Sequence, residues 1–147
     1  MLTRLCVLAF AFLLVACSSA DSPEAQIRAI VAEVAAAAEA RQTRSIAAHI
    51  SPSYADLRGH DKASLVNLVR ATLLRGGSLV ILTDIQSIAL ITERLAEAKV
   101  SVRFNEIDVR RLGLASERYT FIVQFERNGT KWQVVAARWA TGDDDPR

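Results

Sequence analysis

The dipeptide Asn128-Gly129 constrains this chain more than any other feature. It separates two runs rich in β-branched and aromatic residues, YTFIVQFER and TKWQVVAARW. A two-residue loop of type I′ needs positive φ at both central positions, and Asn-Gly supplies that at least cost. The sequence therefore predicts a hairpin turning on Asn128-Gly129. In that register Glu126 faces Lys131, Phe125 faces Trp132, Val123 faces Val134 and Phe121 faces Ala136. One face becomes apolar while Gln124 and Gln133 lie on the other, which is the pattern of a half-buried antiparallel sheet. A slip of one residue would carry Phe125 and Trp132 to the polar side, so the pattern specifies a register as well as an element.

Ahead of this hairpin the signals are helical first and strand-like later. Ser22-Pro23-Glu24 reads as a helix start, with a capping serine, proline at the first helical position and an acid near the positive end of the dipole. Ile27, Ile30, Val31 and Val34 follow at helical spacing, and the Ala35 to Ala38 run allows close approach of another element. Thr43 or Ser45 caps a short second helix that stops at Ser51-Pro52, because proline disfavours the helical region for the residue before it. Asp61 caps a third helix carrying Leu65, Leu68, Val69, Thr72 and Leu73, which Gly76-Gly77 ends.

From Leu79 to Thr92 the sequence is strand-like but changes phase: Ile81, Thr83 and Ile85 share one parity, Ile88 and Leu90 the other. A bulge between Asp84 and Ser87 reconciles them, since one extra residue re-aims every later side chain. Ala98, Val100, Val102 and Phe104 then alternate with polar neighbours as a second strand. Three helices followed by about four antiparallel strands make an α+β domain, with the helices packed on one face of a bent sheet. Residues 22–140 form that domain, and 141–147 are expected to be a solvated tail.

The N-terminus carries an address. Leu5 to Ala16 is an apolar run behind Arg4, too short for the roughly 20 residues that span a bilayer, so residues 1–16 read as a signal peptide. Leu14-Val15-Ala16-Cys17 resembles the lipobox of bacterial lipoproteins. That resemblance implies cleavage before Cys17 and acylation of its sulfur and amino group, with Ser18 in the following position implying routing to the outer membrane, facing the periplasm. Residues 17–21 then form the lipidated N-terminus and a short tether. Cys6 leaves with the signal, so no disulfide can form within the mature domain. Loss of Arg4 leaves 17 basic residues against 16 acidic ones. So even a balance provides no electrostatic basis for binding nucleic acid.

The order of elements, the SPSYADLRGHDKASL segment between the second and third helices and FERNGTKWQVV in the last hairpin resemble the nuclear transport factor 2-like (NTF2-like, SnoaL-like) superfamily of conical α+β folds. The cystatin-type cone is the near competitor, although it normally has one helix. The resemblance covers Ser22 to Trp139 and implies a pocket between the bent sheet and the helices. Some members are isomerases, dehydratases or hydrolases; many only bind ligands or partners, so the fold does not decide function.

Candidate chemistry is scattered. Tyr54 stands where the resemblance puts an aromatic at a pocket rim, His49 is placed to face inward as a general base, and Asp84, if buried in its apolar strand, would have the raised pKa such a base needs. Each has a plainer reading, as a core tyrosine, a boundary histidine or a solvated carboxylate. Asp56 and His60 share a loop and are able to meet, although turn structure accounts for His60, and two ligands make a poor metal site. Arg103 and Arg138 are candidates to clamp a carboxylate or to lie over Tyr119 or Trp139. Tyr54, Arg103, Arg138 and Trp139 are thus the ligand-binding candidates. Asp143-Asp144-Asp145 has the charge of a calcium loop but not its Gly or distal Glu. No metal or cofactor is expected. The sequence points to a membrane-anchored binding module for a small apolar ligand or an envelope protein, with a possible homodimer through outward Ile122 and Val135. The alternative is a small-molecule isomerase, dehydratase or hydrolase using Tyr54, Asp84 and His49.

Overall fold

A computed structural model describes residues 22–75, 77–108, 113–144 and 146; Cys17 and the rest of the segment read as signal and tether lie outside them. The elements follow the order α1 (Pro23–Glu39), α2 (Thr43–Ala48), α3 (Lys62–Arg75), β1 (Ser78–Thr92), β2 (Leu95–Asp108), β3 (Gly113–Asn128) and β4 (Lys131–Thr141). The four strands form one antiparallel sheet in the order β1-β2-β3-β4. The Ser22 hydroxyl accepts from the Ala25 amide at 3.1 Å, with Pro23 next in line, as the start signal for α1 anticipated.

The helices cover one face. Ile27 of α1 is packed among Ala96, Ala98, Val100, Phe125 and Trp132, and the two alanines of β2 let the helix backbone lie close to the sheet. A second cluster joins Ala37 of α1 to Ile46, Ile50 and Tyr54, with Leu65, Val69 and Leu73 of α3 half-buried against it.

The phase change in β1 is a bulge: the register skips Gln86, so Ile85 pairs Val100 and Ile88 pairs Ala98, and both phases reach the inner face. The last hairpin differs from its expected register. Asn128 pairs Lys131, so the loop is Gly129-Thr130, and only Gly129 among the turn residues has positive φ, at 62°. Glycine at the first central position is the requirement of a type II′ turn, whereas type I′ would also need Asn128 at positive φ. Phe125 accordingly pairs Val134, and Arg127 pairs Trp132. A bulge at Val135 then shifts β4, so that Ala137 and Trp139 face inward while Arg138 faces out. Phe125 and Trp132 are both enclosed, at 1% exposure, because the turn shift moves partners along the strand without exchanging the faces of β3.

Both sheet edges are partly satisfied. The Ser51 and Ala55 amides donate to Val134 and Val135 carbonyls on β4, and the Ile81 amide of β1 donates to the Glu39 carboxylate. Beyond β4 the tail is more engaged than a solvated segment. Asp143 and Asp144 are exposed, but Thr120 donates to the Gly142 carbonyl, Arg118 pairs with Asp143 and the Pro146 carbonyl accepts from Arg138.

Candidate functional site

The loop between α2 and α3 closes around one carboxylate. Asp56 follows Tyr54, whose ring is buried in the second core cluster at 2% exposure. The Tyr54 hydroxyl donates to Asp56 Oδ2 at 3.1 Å. Asp56 Oδ1 accepts from the Arg58 and His60 amides, each at 2.9 Å. The His60 ring returns to the same group, with Nδ1 2.9 Å from Oδ2. Gly59, at φ 83°, makes this return possible because few other residues adopt that backbone at low cost.

The electrostatics follow from the geometry. Burial alone would raise the Asp56 carboxyl. Bonds from the His60 amide and ring, the Tyr54 hydroxyl and the Arg58 amide outweigh it, and the group is held below the usual carboxylate range. The side chain has no accessible surface, yet it sits in an outer loop rather than deep in the core. Tyr54 moves the other way: burial, the bond to Asp56 and the negative charge of that carboxylate all favour the neutral phenol. Because an ionised carboxylate can only accept, the His60 Nδ1 facing it carries the proton. In the neutral ring the other nitrogen, Nε2, is thereby left with its lone pair. No described residue bonds to it, and the ring is 25% exposed.

The wall beside His60 is aromatic. Trp139 lies stacked 6.3 Å from the His60 ring, and Phe121, Tyr119 and Phe104 continue the row across the inner face of β3 and β2. The Arg58 guanidinium covers Trp139 at 4.3 Å from the ring centroid and donates to its carbonyl. The cation over Trp139 is therefore Arg58 and neither of the arginines the sequence nominated.

The expected trio does not converge. His49 caps the end of α2 and sets Nε2 3.2 Å from Glu33, with Nδ1 buried and unpartnered. Asp84 is exposed on β1, paired with Ser101, because the strand parity that sends Thr83 and Ile85 inward sends Asp84 out. An exposed carboxylate lacks the burial that would raise its pKa, so the role expected for Asp84 falls. The ligand-binding candidates divide as well: Tyr54 and Trp139 share the inner side, whereas Arg103 and Arg138 lie on the outer face. Arg138 lines an open groove of about 370 Å³ there with Leu57, Ile122, Gln124 and Ala136, and its Nε is engaged by Pro146. Ile122 is half-buried in this groove and Val135 sits at the bulge under Ala55, which leaves neither as a fully open apolar contact.

Sequence reasoning reached Asp56 and His60 but weighed them only as a metal site or a turn, and it missed Arg58. The signal was the i, i+4 spacing of an Asp and a His with glycine between, an Asx-type turn that folds the histidine back on the acid. Among the described residues no group of three or more His, Cys, Asp or Glu side chains is placed to hold a metal.

No protein-family model and no curated protein matches the chain in sequence. Solved structures do match its shape. A protein assigned as a calcium/calmodulin-dependent protein kinase II association domain from Xanthomonas campestris superposes with TM-score 0.70 at 13% identity, over 86% of this chain and 93% of that one. A ketosteroid isomerase-like protein from Erwinia carotovora gives 0.64 at 11% identity, over 82% and 96%. The hexachlorocyclohexane dehydrochlorinase LinA-type3 of Novosphingobium barchaimii gives 0.65 at 13% identity, over 84% and 89%. These are proteins of the NTF2-like, SnoaL-like fold, and that fold is what the likeness establishes for this chain.

Proposed function

We propose that this chain is a lipid-anchored periplasmic domain that binds a small ligand at the mouth of its cone. The observation that carries the reading is the enclosed Asp56 carboxylate behind His60 Nδ1, which leaves Nε2 as an acceptor beside the Trp139 wall. Such an acceptor suits a ligand whose body is apolar or aromatic and which presents one donor, a hydroxyl or an acidic N–H. Arg58 over Trp139 adds positive charge at the same rim, favouring ligands with anionic character. The anchor rests on Leu14-Val15-Ala16-Cys17 at the end of an apolar run, with acylated Cys17 holding the domain on the outer membrane. Several acyl chains would keep it there through high salt, each buried methylene contributing about 0.8 kcal/mol.

Native mass spectrometry of the detergent-extracted protein tests both parts. The account expects an acylated N-terminus and a non-lipid adduct that His60→Gln loses while the fold is retained. An adduct unchanged by His60→Gln would place the ligand elsewhere.

The same dyad supports a second reading, as an acid-base catalyst in which Nε2 takes a proton from carbon and Asp56 stabilises the imidazolium. Ketosteroid isomerase-like proteins and dehydrochlorinases among the structural neighbours favour it. Deuterium incorporation from D2O into a weak carbon acid, dependent on His60, would support this reading. Binding without exchange leaves the binding module.

A further inference from the structure

We infer that the two hairpin turns, Glu93-Arg94 and Gly129-Thr130, form the end of the domain that rests on lipid headgroups, with the cone mouth turned away from the membrane. This rests on the reading of Cys17 as the lipid anchor. Residues 18–21 are all that separate Cys17 from the start of α1 at Ser22. Fully extended, that connection reaches at most roughly 17 Å, so the end of the molecule from which α1 emerges must lie near the bilayer.

The packing says which end that is. Ile27, in the second turn of α1, sits on Ala96, Phe125 and Trp132, which are residues close to the two turns. At the opposite terminus of α1, Glu39 accepts from the Ile81 amide, near the start of β1. The helix thus points its N-terminus toward the turns, and Ser22 lies about 7 Å beyond Ile27 in that direction. The turns are joined to each other: the Arg127 amide donates to the Arg94 carbonyl at 2.8 Å, and Arg94 Nε lies 3.4 Å from the Arg127 carbonyl.

The exposed chemistry of this end fits an interface. Ile91 is 54% and Leu90 44% exposed on the last residues of β1, and Arg94 and Lys131 are exposed at the turns. Apolar side chains among long cationic ones suit the headgroup and upper acyl region, where guanidinium and ammonium groups meet phosphate. Glu24, in the first turn of α1, and Glu93 and Glu126 share this end, so its charge is mixed; the tether holds the domain, and Arg94 and Lys131 orient it. His60 and Trp139 are then presented to the aqueous side, and the ligand enters from the periplasm without passing through the bilayer.

The test uses full-length, processed protein in vesicles of phosphatidylethanolamine and phosphatidylglycerol containing a headgroup-quencher lipid. The mass of the N-terminal peptide is measured first. A fluorophore is placed at Thr130→Cys or, in a second protein, at Ser116→Cys, about 40 Å farther along β3. Quenching at the Thr130 position is expected to exceed that at Ser116 by about fivefold or more, since headgroup quenching acts only over a short reach beyond the tether. The double substitution Arg94→Glu/Lys131→Glu is expected to cut the Thr130 signal at least by about half while the protein stays vesicle-bound, because basic residues near an anionic surface are drawn to it and acidic ones are repelled. An unacylated peptide removes the tether and this inference with it. Acylated protein with equal or reversed quenching overturns the orientation alone, and an unchanged signal in the double variant overturns the role of the basic residues.

Discussion

Removing the Asp56 carboxylate is expected to loosen the whole loop between α2 and α3, and the cost can be worked from its partners. Four donors converge on it: the Tyr54 hydroxyl, the Arg58 and His60 amides and His60 Nδ1. In Asp56→Ala the Tyr54 hydroxyl loses its acceptor in an enclosed position, which costs about 1–3 kcal/mol, while the two amides sit in an exposed loop and recover most of their loss from water at about 0.5 kcal/mol each. The sum is about 2–4 kcal/mol, toward the low end because charges near the surface are screened. Asp56→Asn keeps an oxygen for the two amides and should lose only about 1 kcal/mol. Urea unfolding of the soluble domain reads both values, with the alanine midpoint falling by on the order of 1–2 M. If Asp56→Ala unfolds within about 0.5 kcal/mol of the parent, the carboxylate does not organise the loop. If the asparagine variant is as unstable as the alanine one, geometry is not what the site requires.

Acid should act through the same group. Its carboxyl is lowered from the ordinary value of 3.8 on folding, so its contribution is complete above that value and is lost as pH falls through the lower folded value; Asp56→Asn should flatten this part of the stability profile. Both tyrosines of the chain are raised, Tyr54 by burial and then Asp56, and Tyr119 by its bond to Glu117 and then burial. An ultraviolet titration should therefore show less than half of the phenolate signal at pH 10 in the folded protein, with Tyr54 staying neutral there, and a normal half-ionised signal would contradict the Tyr54 environment. At the last hairpin, Gly129→Ala should cost about 1–2 kcal/mol for an unfavourable positive φ, while Asn128→Ala stays within about 0.5 kcal/mol. Equal losses at both positions would restore the type I′ turn.

The architecture was legible because its signals are local and periodic. The Ser22-Pro23 start, the helical spacing of α1 and the two phases of β1 each follow from one stretch of sequence, and the bulge at Gln86 was implied by the parity change itself. The last hairpin was read one residue early because Asn-Gly suits two turn types, and choosing between them depends on the backbone at Asn128 rather than on composition. The bulge at Val135 left no trace in the alternation of β4, and it alone decides that Trp139 faces in and Arg138 out. The site was legible only as residues. Asp56 and His60 were visible, but their closure depends on Gly59 at positive φ and on Tyr54 being held by the core behind them. Asp84 stayed open between a buried base and a solvated carboxylate because an apolar neighbourhood in sequence does not say which face of a strand a side chain takes.

The proton of His60 decides whether the proposed acceptor exists. Long-range 1H–15N correlation spectra of the His60 ring in the folded domain, recorded at a pH where the ring is neutral, distinguish the two tautomers directly. The proton is expected on Nδ1, against Asp56, with Nε2 showing the shift of an unprotonated nitrogen. A spectrum with the proton on Nε2 would mean that Asp56 does not hold the ring, and that the acceptor proposed at the mouth of the cone does not exist.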